Sequence, residues 1–269
     1  MSAIDIHTHV FPNKVAPRAM EKLQAMTDWR AVGDGTVGDL LESMDRADVD
    51  ISAICAIATK PGQVKGILKW QKKIIKEHAH RLVPLCSVHP HDKNPENWIQ
   101  RIVGEGVIGI KLHPMYQDFC IDDERIWCIY QSIAEHGLLL ELHCGKDIGF
   151  PNDPIPDRAS PQRIARVLRR FKGLRLLCTH MGGWQMWDQV ETHLLGKDVY
   201  METSFSLTHM APERFRKMIQ VHGAEKICFG SDWPWNEQSV ELARIERLGL
   251  DKKTFRQLSM ANAAQLLGL

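Results

Sequence analysis

The chain has 269 residues, of which 44% are apolar and 25% charged, and this is the composition of an ordinary soluble globular protein. Its formal net charge of +1 gives no long-range field that would gather nucleic acid or an anionic membrane. The sequence has no apolar run of about 18 residues and no basic stretch followed by an apolar core, so we expect a small-molecule partner and a cytoplasmic location.

Eight short apolar runs, rich in β-branched residues and each ending in small or polar residues, predict strands. In chain order they are AIDIHTH from Ala3, ISAICAIA from Ile51, LVPLCSVHP from Leu82, VIGIKLHP from Val107, LLLELHCG from Leu138, LRLLCTHMG from Leu174, VYMETSF from Val199 and KICFGSDWP from Lys226. The spacing of their starts leaves room for one helix and two loops each time.

The segments between these runs carry helical patterns. Gly38–Val49 and Glu124–Gly137 each place apolar residues along one stripe, and a third helix is predicted with Ser160 as N-cap, Pro161 in its first turn and Gly173 at its end. The tail KKTFRQLSMANAAQLLGL adds one or two closing helices. Strands and helices therefore alternate along the chain.

Continuous apolar strands that alternate with helices indicate a parallel sheet covered on both faces. Eight such units most simply close into a barrel, so we predict the α/β class and a single (β/α)₈ TIM-barrel domain over residues 1–269. An open doubly wound sheet is the alternative. No GxGxxG motif follows the first strand, so a dinucleotide-binding version has little support.

The seven cysteines form no CxxC pair, and most lie inside apolar strand-like runs. An odd number at such positions indicates reduced, buried thiols rather than a disulfide framework or a zinc–cysteine site. Any metal must therefore be held by histidine and carboxylate side chains.

In a barrel of this kind, the site lies at the carboxyl ends of the strands. The polar residues predicted there are His7 and His9, Lys111 and His113, Glu141 and His143, His180, and Asp232. A lone histidine at a strand end is more often a hydrogen-bonded polar residue than a ligand. The HxH spacing puts two imidazoles on one face, however, and the ends of other strands add more ligands, which makes coincidence hard to sustain. Such a set suits a divalent metal that lowers the pKa of a bound water to about 7.

The motifs DIHTH, GIKLHP, ELHCG, CTHMGG and CFGSDWP, in this order and on these strands, resemble the amidohydrolase-related family of the metal-dependent amidohydrolase superfamily. Members of that family include aminocarboxymuconate-semialdehyde decarboxylase, other non-oxidative decarboxylases and hydrolases of cyclic lactones. The resemblance covers essentially the whole chain. It is specific for the family but not for a substrate.

The resemblance implies that His7, His9, His143 and Asp232 are metal ligands. It also implies that His180 lies beside the metal-bound water and serves as acid/base or polariser. In a hydrolytic mechanism we expect His180 and Asp232 to transfer the proton together. Zinc is the expected ion, with manganese or another divalent cation as the alternative. A homodimer is common among similar proteins.

Lys111 has several roles open to it. In other branches of the superfamily a lysine near this place is carboxylated and bridges two metals. Here we expect an ammonium group that meets a substrate carboxylate or carbonyl, or pairs with Asp5 or Glu141 inside the barrel. The other predicted substrate-binding residues lie at strand ends or in the loops that follow them: His113, Arg158, Trp184 and Trp233.

We therefore expect a metal-dependent hydrolase that cleaves an amide, lactone or ester bond of a small organic substrate. The alternative is a lyase that removes carbon dioxide from an aromatic or dienoic carboxylic acid on the same metal site. The HMGGW segment after the sixth strand resembles the broader, uncharacterised group of the family more than its decarboxylases, and this resemblance favours the hydrolase. A metal-binding scaffold without catalysis is disfavoured because the whole ligand set is present.

Overall fold

A computed structural model of the chain describes residues 3–269. Each of the eight predicted strands is present, and all pairings between them are parallel. The strands are β1 Ala3–Thr8, β2 Val49–Cys55, β3 Leu82–Leu85, β4 Gly109–Leu112, β5 Leu139–Leu142, β6 Arg175–Cys178, β7 Tyr200–Glu202 and β8 Ile227–Cys228.

Helices follow the strands and cover the outside of the sheet. The α-helices are α1 Ala16–Gln24, α2 Val37–Ala47, α3 Val64–His78, α4 Pro95–Gly104, α5 Pro114–Gln117, α6 Trp127–Glu135, α7 Pro161–Arg170, α8 Trp187–His193, α9 Pro212–His222, α10 Gln238–Glu246, α11 Lys252–Arg256 and α12 Asn262–Leu267. Short 3₁₀ turns lie at Glu124–Ile126, His180–Gly182 and Ala224–Lys226, and a π-helical turn at Gln257–Ala261 joins α11 to α12.

The strands close into a barrel through two weaker seams. Two sheets of parallel strands form, each in sequence order: one contains β1, β2 and β3, and the other contains β4 through β8. Between the two sheets, the Lys111 amide donates to the Cys86 carbonyl at 2.7 Å and the Asp232 amide donates to the His7 carbonyl at 2.8 Å. The predicted (β/α)₈ barrel is therefore confirmed, and the open doubly wound sheet does not form.

Local signals in the sequence set several helix ends. Ser160 caps α7 by accepting a hydrogen bond from the Arg163 amide, and Pro161 is in the first turn, as predicted. The predicted helix Gly38–Val49 ends earlier, at Ala47, because Val49 begins β2. The predicted helix Glu124–Gly137 is a 3₁₀ turn followed by α6.

One end of the barrel is filled with apolar side chains. Ile4 and Ile6 of β1 pack with Leu139 of β5, Leu177 of β6 and their neighbours inside the barrel, and Leu266 of α12 closes that cluster. A larger apolar layer separates the sheet from the helices. Because the amino-terminal end is plugged, the carboxyl end of the strands is left for a site.

Strand β1 carries a bulge just before the site. Asp5 is paired with Ser52 and Thr8 with Ile54, so three steps along β1 match two along β2. The Asp5 carboxylate accepts hydrogen bonds from Ser231, from Gln238 of α10 and from the His7 amide. Asp5 therefore does not pair with Lys111.

The cysteines are free, as the sequence predicts, and Cys55, Cys86, Cys144, Cys178 and Cys228 are buried. Cys120 is half-buried and Cys128 is exposed. Across residues 3–269, no helix is both long and apolar enough to cross a membrane.

Candidate metal centre

The histidines at the carboxyl ends of β1, β5 and β6 meet above the apolar plug. The ring centroids of His7 and His9 are 4.9 Å apart, those of His7 and His180 5.6 Å, and those of His143 and His180 5.0 Å. Asp232, which follows β8, places Oδ1 3.3 Å from His7 Nε2 and 3.2 Å from His9 Nε2. The structure thus gathers the four predicted ligands and His180 in one region.

Hydrogen bonds on the outer side of His7 and His9 determine which ring nitrogen carries the proton. His9 Nδ1 lies 2.7 Å from the carbonyl oxygen of Cys55, and His7 Nδ1 lies 3.1 Å from Glu202 Oε1. Both partners are acceptors, so both Nδ1 atoms donate. The two Nε2 atoms, 3.0 Å apart, then carry lone pairs that point into the same space.

His143 and His180 repeat this arrangement. His143 Nε2 donates to the Lys146 carbonyl at 3.0 Å, and His180 Nδ1 donates to the hydroxyl and carbonyl oxygens of Ser204 at 2.8 and 3.3 Å. The remaining nitrogens, His143 Nδ1 and His180 Nε2, are 3.3 Å apart and again carry lone pairs. Burial, together with neighbouring positive charge, holds the pKa of His7, His143 and His180 well below the usual range, so these rings are neutral.

Asp232 adds a carboxylate oxygen to these imidazole nitrogens. Asp232 Oδ1 is buried and has no hydrogen-bond partner among the described residues. The inward atoms of His7, His9 and Asp232 lie within 4.8 Å of one another. Acceptor atoms that face one another repel unless a cation lies between them, and imidazole with carboxylate is a ligand set that divalent transition metals prefer. The residues therefore fit a divalent metal ion.

Two neighbouring clusters have similar composition but different hydrogen bonding. In the cluster of His113, His143 and Asp147, His113 Nε2 is 3.2 Å and His143 Nε2 3.6 Å from Asp147 Oδ2. His113 Nδ1 accepts from the Tyr116 amide, so its Nε2 is the protonated nitrogen that donates to Asp147. In the cluster of His7, His180 and Glu202, the nitrogens that face Glu202 are also the protonated ones. Both clusters are therefore satisfied by hydrogen bonds.

Glu202 of β7 supports the centre and was not predicted as a site residue. Besides His7, its carboxylate accepts from the His180 amide at 2.7 Å, the Ser204 amide at 2.6 Å and the Ser204 hydroxyl at 2.8 Å. Burial raises the pKa of Glu202 to about 8, with repulsion from Glu141 adding to the shift. A carboxylate that fixes the proton position of a ligand histidine is a common support in metal sites.

Lys111 is enclosed beneath the histidines. Its Nζ donates to Glu141 Oε1 at 2.6 Å and lies 3.2 Å from His7 Nε2. Burial lowers the pKa of this amine, but the ion pair with Glu141 outweighs that effect and the pKa of Lys111 is raised. Its side chain is 0% exposed. Pairing with Glu141 was one of the roles predicted for Lys111, whereas contact with a substrate stays a prediction that this position does not favour.

A cavity of about 670 Å³ opens at this end of the barrel. Its wall includes three aromatic side chains, Trp29, Phe150 and Trp184, and Asp147 lines it as well. Asp147 also contacts His113 and His143, so it connects the cavity with the metal centre. Trp29 comes from the segment after α1, where no pattern in the sequence pointed to a site.

The other predicted substrate-binding residues are placed differently. Trp184 lines the cavity. His113 stacks on His143, with ring centroids 4.0 Å apart. Trp233 is 1% exposed, and its ring packs against Gly33. Arg158 is paired with Asp153 at 2.8 Å and Asp118 at 3.0 Å, so its charge is already compensated. These positions favour substrate contact for Trp184 and a packing or structural role for Trp233 and Arg158.

Two of the site residues have left-handed backbone conformations. The φ angle is +57° at His180 and +60° at Asp232. A residue with a side chain in this region costs of the order of 1–3 kcal/mol and persists where the surroundings enforce it, often at functional sites. Two backbone hydrogen bonds hold the turn at Asp232: its amide donates to the His7 carbonyl, and its carbonyl accepts from the Trp235 amide.

Solved structures with the same fold cover nearly the whole chain. An uncharacterized TIM-barrel protein from Bordetella bronchiseptica has 15% identity and a TM-score of 0.80, over 100% of this chain and 99% of that one. A 5-carboxyvanillate decarboxylase from Novosphingobium aromaticivorans, complexed with manganese and 4-hydroxy-3-methoxy-5-nitrobenzoic acid, has 13% identity and a TM-score of 0.73, over 99% and 96% of the two chains. A 2,6-dihydroxybenzoate decarboxylase from Rhizobium has 14% identity and a TM-score of 0.71, over 99% and 98%.

At these identities the solved structures establish the fold alone, and no curated protein matches the sequence. The sequence profile of the family described as Amidohydrolase matches residues 4–269, which includes every strand that carries a residue of the centre. The barrel, the histidines at its carboxyl end and this match agree, and the chain belongs to the amidohydrolase family.

Proposed function

We propose that the protein is a metal-dependent carboxy-lyase that removes carbon dioxide from a small, flat carboxylic acid. The observation that carries this proposal is the convergence of imidazole lone pairs and the Asp232 carboxylate beside a cavity walled by Trp29, Phe150 and Trp184. Flat aromatic walls suit a ring or a conjugated acid. The solved decarboxylases of the same fold support this alternative over the hydrolase favoured by the sequence alone.

The residues that would hold the metal are His7, His9 and Asp232, with His143 as the fourth ligand predicted from the family. A divalent ion at this place would supply Lewis-acid polarisation of a substrate oxygen. Zinc was the expected ion; manganese now has equal standing as a candidate, because a decarboxylase of the same fold is complexed with it.

The protein's own residues would orient the acid and move the proton. Trp184 and Phe150 would hold the flat substrate between them and keep water away from the breaking bond. Loss of carbon dioxide leaves an electron pair on carbon, which must take up one proton. That proton comes from water. His180 is the candidate to pass it on, because its Nε2 faces the centre without a donor of its own. Asp232 is the second candidate, in addition to its role as a ligand.

Hydrolysis of an amide, lactone or ester is the second candidate. It is favoured by the neutral His180 ring, whose Nδ1 proton is held by Ser204 and whose Nε2 is free to accept a proton from water. The same metal ligands would serve either reaction.

The test begins with metal analysis of purified protein, which should hold about one divalent ion per chain when prepared with Mn²⁺ or Zn²⁺. The loaded protein is then assayed against a panel of hydroxybenzoic and dienoic acids for release of carbon dioxide, and against a panel of lactones, esters and amides for release of acid. His180→Ala and Asp232→Asn should abolish the activity, and His136→Gln, at the end of α6, should keep it. Acid release without carbon dioxide release would overturn the lyase in favour of the hydrolase. Failure to bind metal would overturn both.

A further inference from the structure

Lys111 lies where a cation is needed. Three carboxylates lie within 3.6 Å of His7: Glu141 Oε1 at 3.6 Å, Glu202 Oε1 at 3.1 Å and Asp232 Oδ1 at 3.3 Å. The Lys111 ammonium also contacts this ring, with Nζ 3.2 Å from His7 Nε2. The negative charges of Glu141 and Asp232 are costly at this depth without compensation, and Lys111 supplies part of that compensation.

The Lys111 ammonium also forms a hydrogen bond with the His7 nitrogen that a metal would use. His7 Nδ1 is committed to Glu202, so Nε2 is the nitrogen that a metal would use, and the same Nε2 accepts from Lys111. The lone pair cannot serve a proton donor and a metal at once. Lys111 Nζ is also nearer to this nitrogen, at 3.2 Å, than the carboxylate of its partner Glu141, at 3.6 Å. The positive end of the ion pair therefore faces the position of the metal.

We propose that Lys111 is the resident cation of the metal-free centre, and that it sets the affinity for the metal because a divalent ion must take the His7 lone pair from it. The ammonium keeps its bond to Glu141 when the metal arrives, so Lys111 remains in the barrel as a nearby positive charge that weakens metal binding. Lys111 is thus a positioning residue that tunes the metal. This inference rests on the metal centre of the proposed function, but not on the reaction catalysed there.

The test removes both charges of the pair, since Lys111→Met alone would strand the Glu141 carboxylate in the barrel. The double variant Lys111→Met/Glu141→Gln is compared with the wild type and with Arg163→Met/Asp122→Asn, which removes an ion pair between α7 and the segment before α6. Dissociation constants for Mn²⁺ and Zn²⁺ are measured by competition with a fluorescent chelator. Melting temperatures are measured for metal-stripped and metal-loaded protein.

The Lys111/Glu141 variant should bind Mn²⁺ about tenfold more tightly, because the ammonium, which is the nearer end of the pair and competes for the His7 lone pair, is lost together with the more distant carboxylate. Its metal-stripped form should melt below the stripped wild type, so that the gap between stripped and loaded protein widens. The Arg163/Asp122 control should keep its dissociation constant within about twofold, because its charges lie on the outer helix layer. An unchanged or weaker affinity in the folded Lys111/Glu141 variant would overturn the proposal.

A second measurement uses the wild type and does not depend on a variant that folds. In metal-stripped protein labelled with ¹⁵N-lysine, the buried Lys111 ammonium should give a slowly exchanging Nζ resonance that shifts when Zn²⁺ is added. If the protein binds Zn²⁺ but the Lys111 resonance does not shift, the metal does not displace Lys111 from His7, which would contradict the proposal. Wild-type protein that binds neither ion would overturn the metal centre, and with it both this inference and the proposed function.

Discussion

The carboxylate of Asp5 accepts two hydrogen bonds from Ser231, one from its amide at 3.0 Å and one from its hydroxyl at 2.5 Å. These bonds join the first strand to the segment after the last strand, directly before Asp232. The Ser231 hydroxyl in turn accepts from the Trp233 amide at 3.0 Å. Ser231 therefore fixes the backbone on both sides of a predicted metal ligand.

Ser231→Ala should lower the free energy of unfolding by about 1–3 kcal/mol, because it removes one of the two donors to Asp5 Oδ2, of which Gln238 remains, and leaves the Trp233 amide without its acceptor. The affinity for Mn²⁺ should fall as well, since the turn at Asp232 loosens. Urea denaturation and chelator competition measure the two effects. Ser43→Ala is the matched control, because the Ser43 hydroxyl is buried without a hydrogen-bond partner in the described part of the chain. Equal losses in the two variants would show that the Asp5–Ser231 contact has no special role.

Asp232→Asn should reduce metal binding more than tenfold while the protein stays folded. The substitution keeps the shape of the side chain but removes the negative charge that faces His7 and His9 at 3.3 and 3.2 Å. Metal content after dialysis and far-ultraviolet circular dichroism separate loss of metal from loss of structure. Asp188→Asn, an exposed carboxylate of α8, controls for the loss of one charge. Full metal occupancy in Asp232→Asn would remove this residue from the ligand set.

The architecture and the general position of the centre could be predicted from the sequence because both depend on local patterns. The continuous apolar runs, with their helical intervals, identify parallel strands, and the carboxyl ends of such strands meet at one end of a barrel. His7, His9 and Asp232 follow from that geometry, since each lies at a strand end. The barrel geometry alone therefore explains why His7 and Asp232 lie close together although more than 200 residues separate them in sequence.

Contacts that depend on tertiary packing were missed. Glu202 lies in the strand-like run VYMETSF, where nothing local distinguishes a ligand support from a buried polar residue, and its partner His7 is 195 residues away in sequence. The alternation of side chains along β1 assumes a regular pleat, so the bulge between Asp5 and Thr8 could not be foreseen. Arg158 looked free for a substrate until the fold brought Asp118 and Asp153 to it.

Glu202→Gln should weaken metal binding about 10–100-fold, the usual effect of removing a group that orients a ligand histidine. A glutamine has one acceptor oxygen for the donors that now converge on the carboxylate, so the proton position of His7 becomes less well fixed. Chelator competition measures the affinity, and urea denaturation of the metal-stripped protein tests whether the fold is intact. An unchanged affinity would mean that Glu202 serves the fold rather than the metal.

Stability should depend on pH through Glu241 of α10. Burial raises the pKa of Glu241 to about 7 from its ordinary value of 4.5, although Arg244 opposes the shift. The folded state therefore holds a proton that the unfolded state releases, so the contribution of this group is fully present below pH 4.5 and is lost as the pH rises through about 7. The free energy of unfolding should fall by about 1–3 kcal/mol over this range.

Glu241→Gln should remove that part of the pH dependence, so the variant should become more stable than the wild type at pH values above the carboxyl pKa and comparable to it in acid. Urea denaturation across the range from pH 5 to about 8 measures the difference. Glu246→Gln, at an exposed position of the same helix, controls for the loss of one charge. A difference between wild type and Glu241→Gln that does not change with pH would contradict the assignment.

Gly145 allows the loops after β5 and β6 to lie side by side at the wall of the cavity. Its φ angle is +86°, and an added Cβ would lie 2.2 Å from the Trp184 amide nitrogen and 2.4 Å from the Trp184 carbonyl oxygen. Backbone bonds join the two loops at this point, from the Trp184 amide to the Cys144 carbonyl at 3.1 Å and from the Lys146 amide to the Trp184 carbonyl at 3.0 Å. A side chain here must break this pairing or push Trp184 away.

Gly145→Ala should therefore lower the free energy of unfolding by about 2–5 kcal/mol, from a left-handed backbone and a steric clash together. Gly173→Ala separates the two causes: its φ angle is +83°, but an added Cβ meets nothing within 4 Å. Gly173→Ala should lower the free energy of unfolding by only about 1–2 kcal/mol, because only the left-handed backbone contributes there. Urea denaturation of both variants gives the difference between them. Equal losses would mean that the close approach of the two loops is not enforced, and that Trp184 can move without cost to the fold.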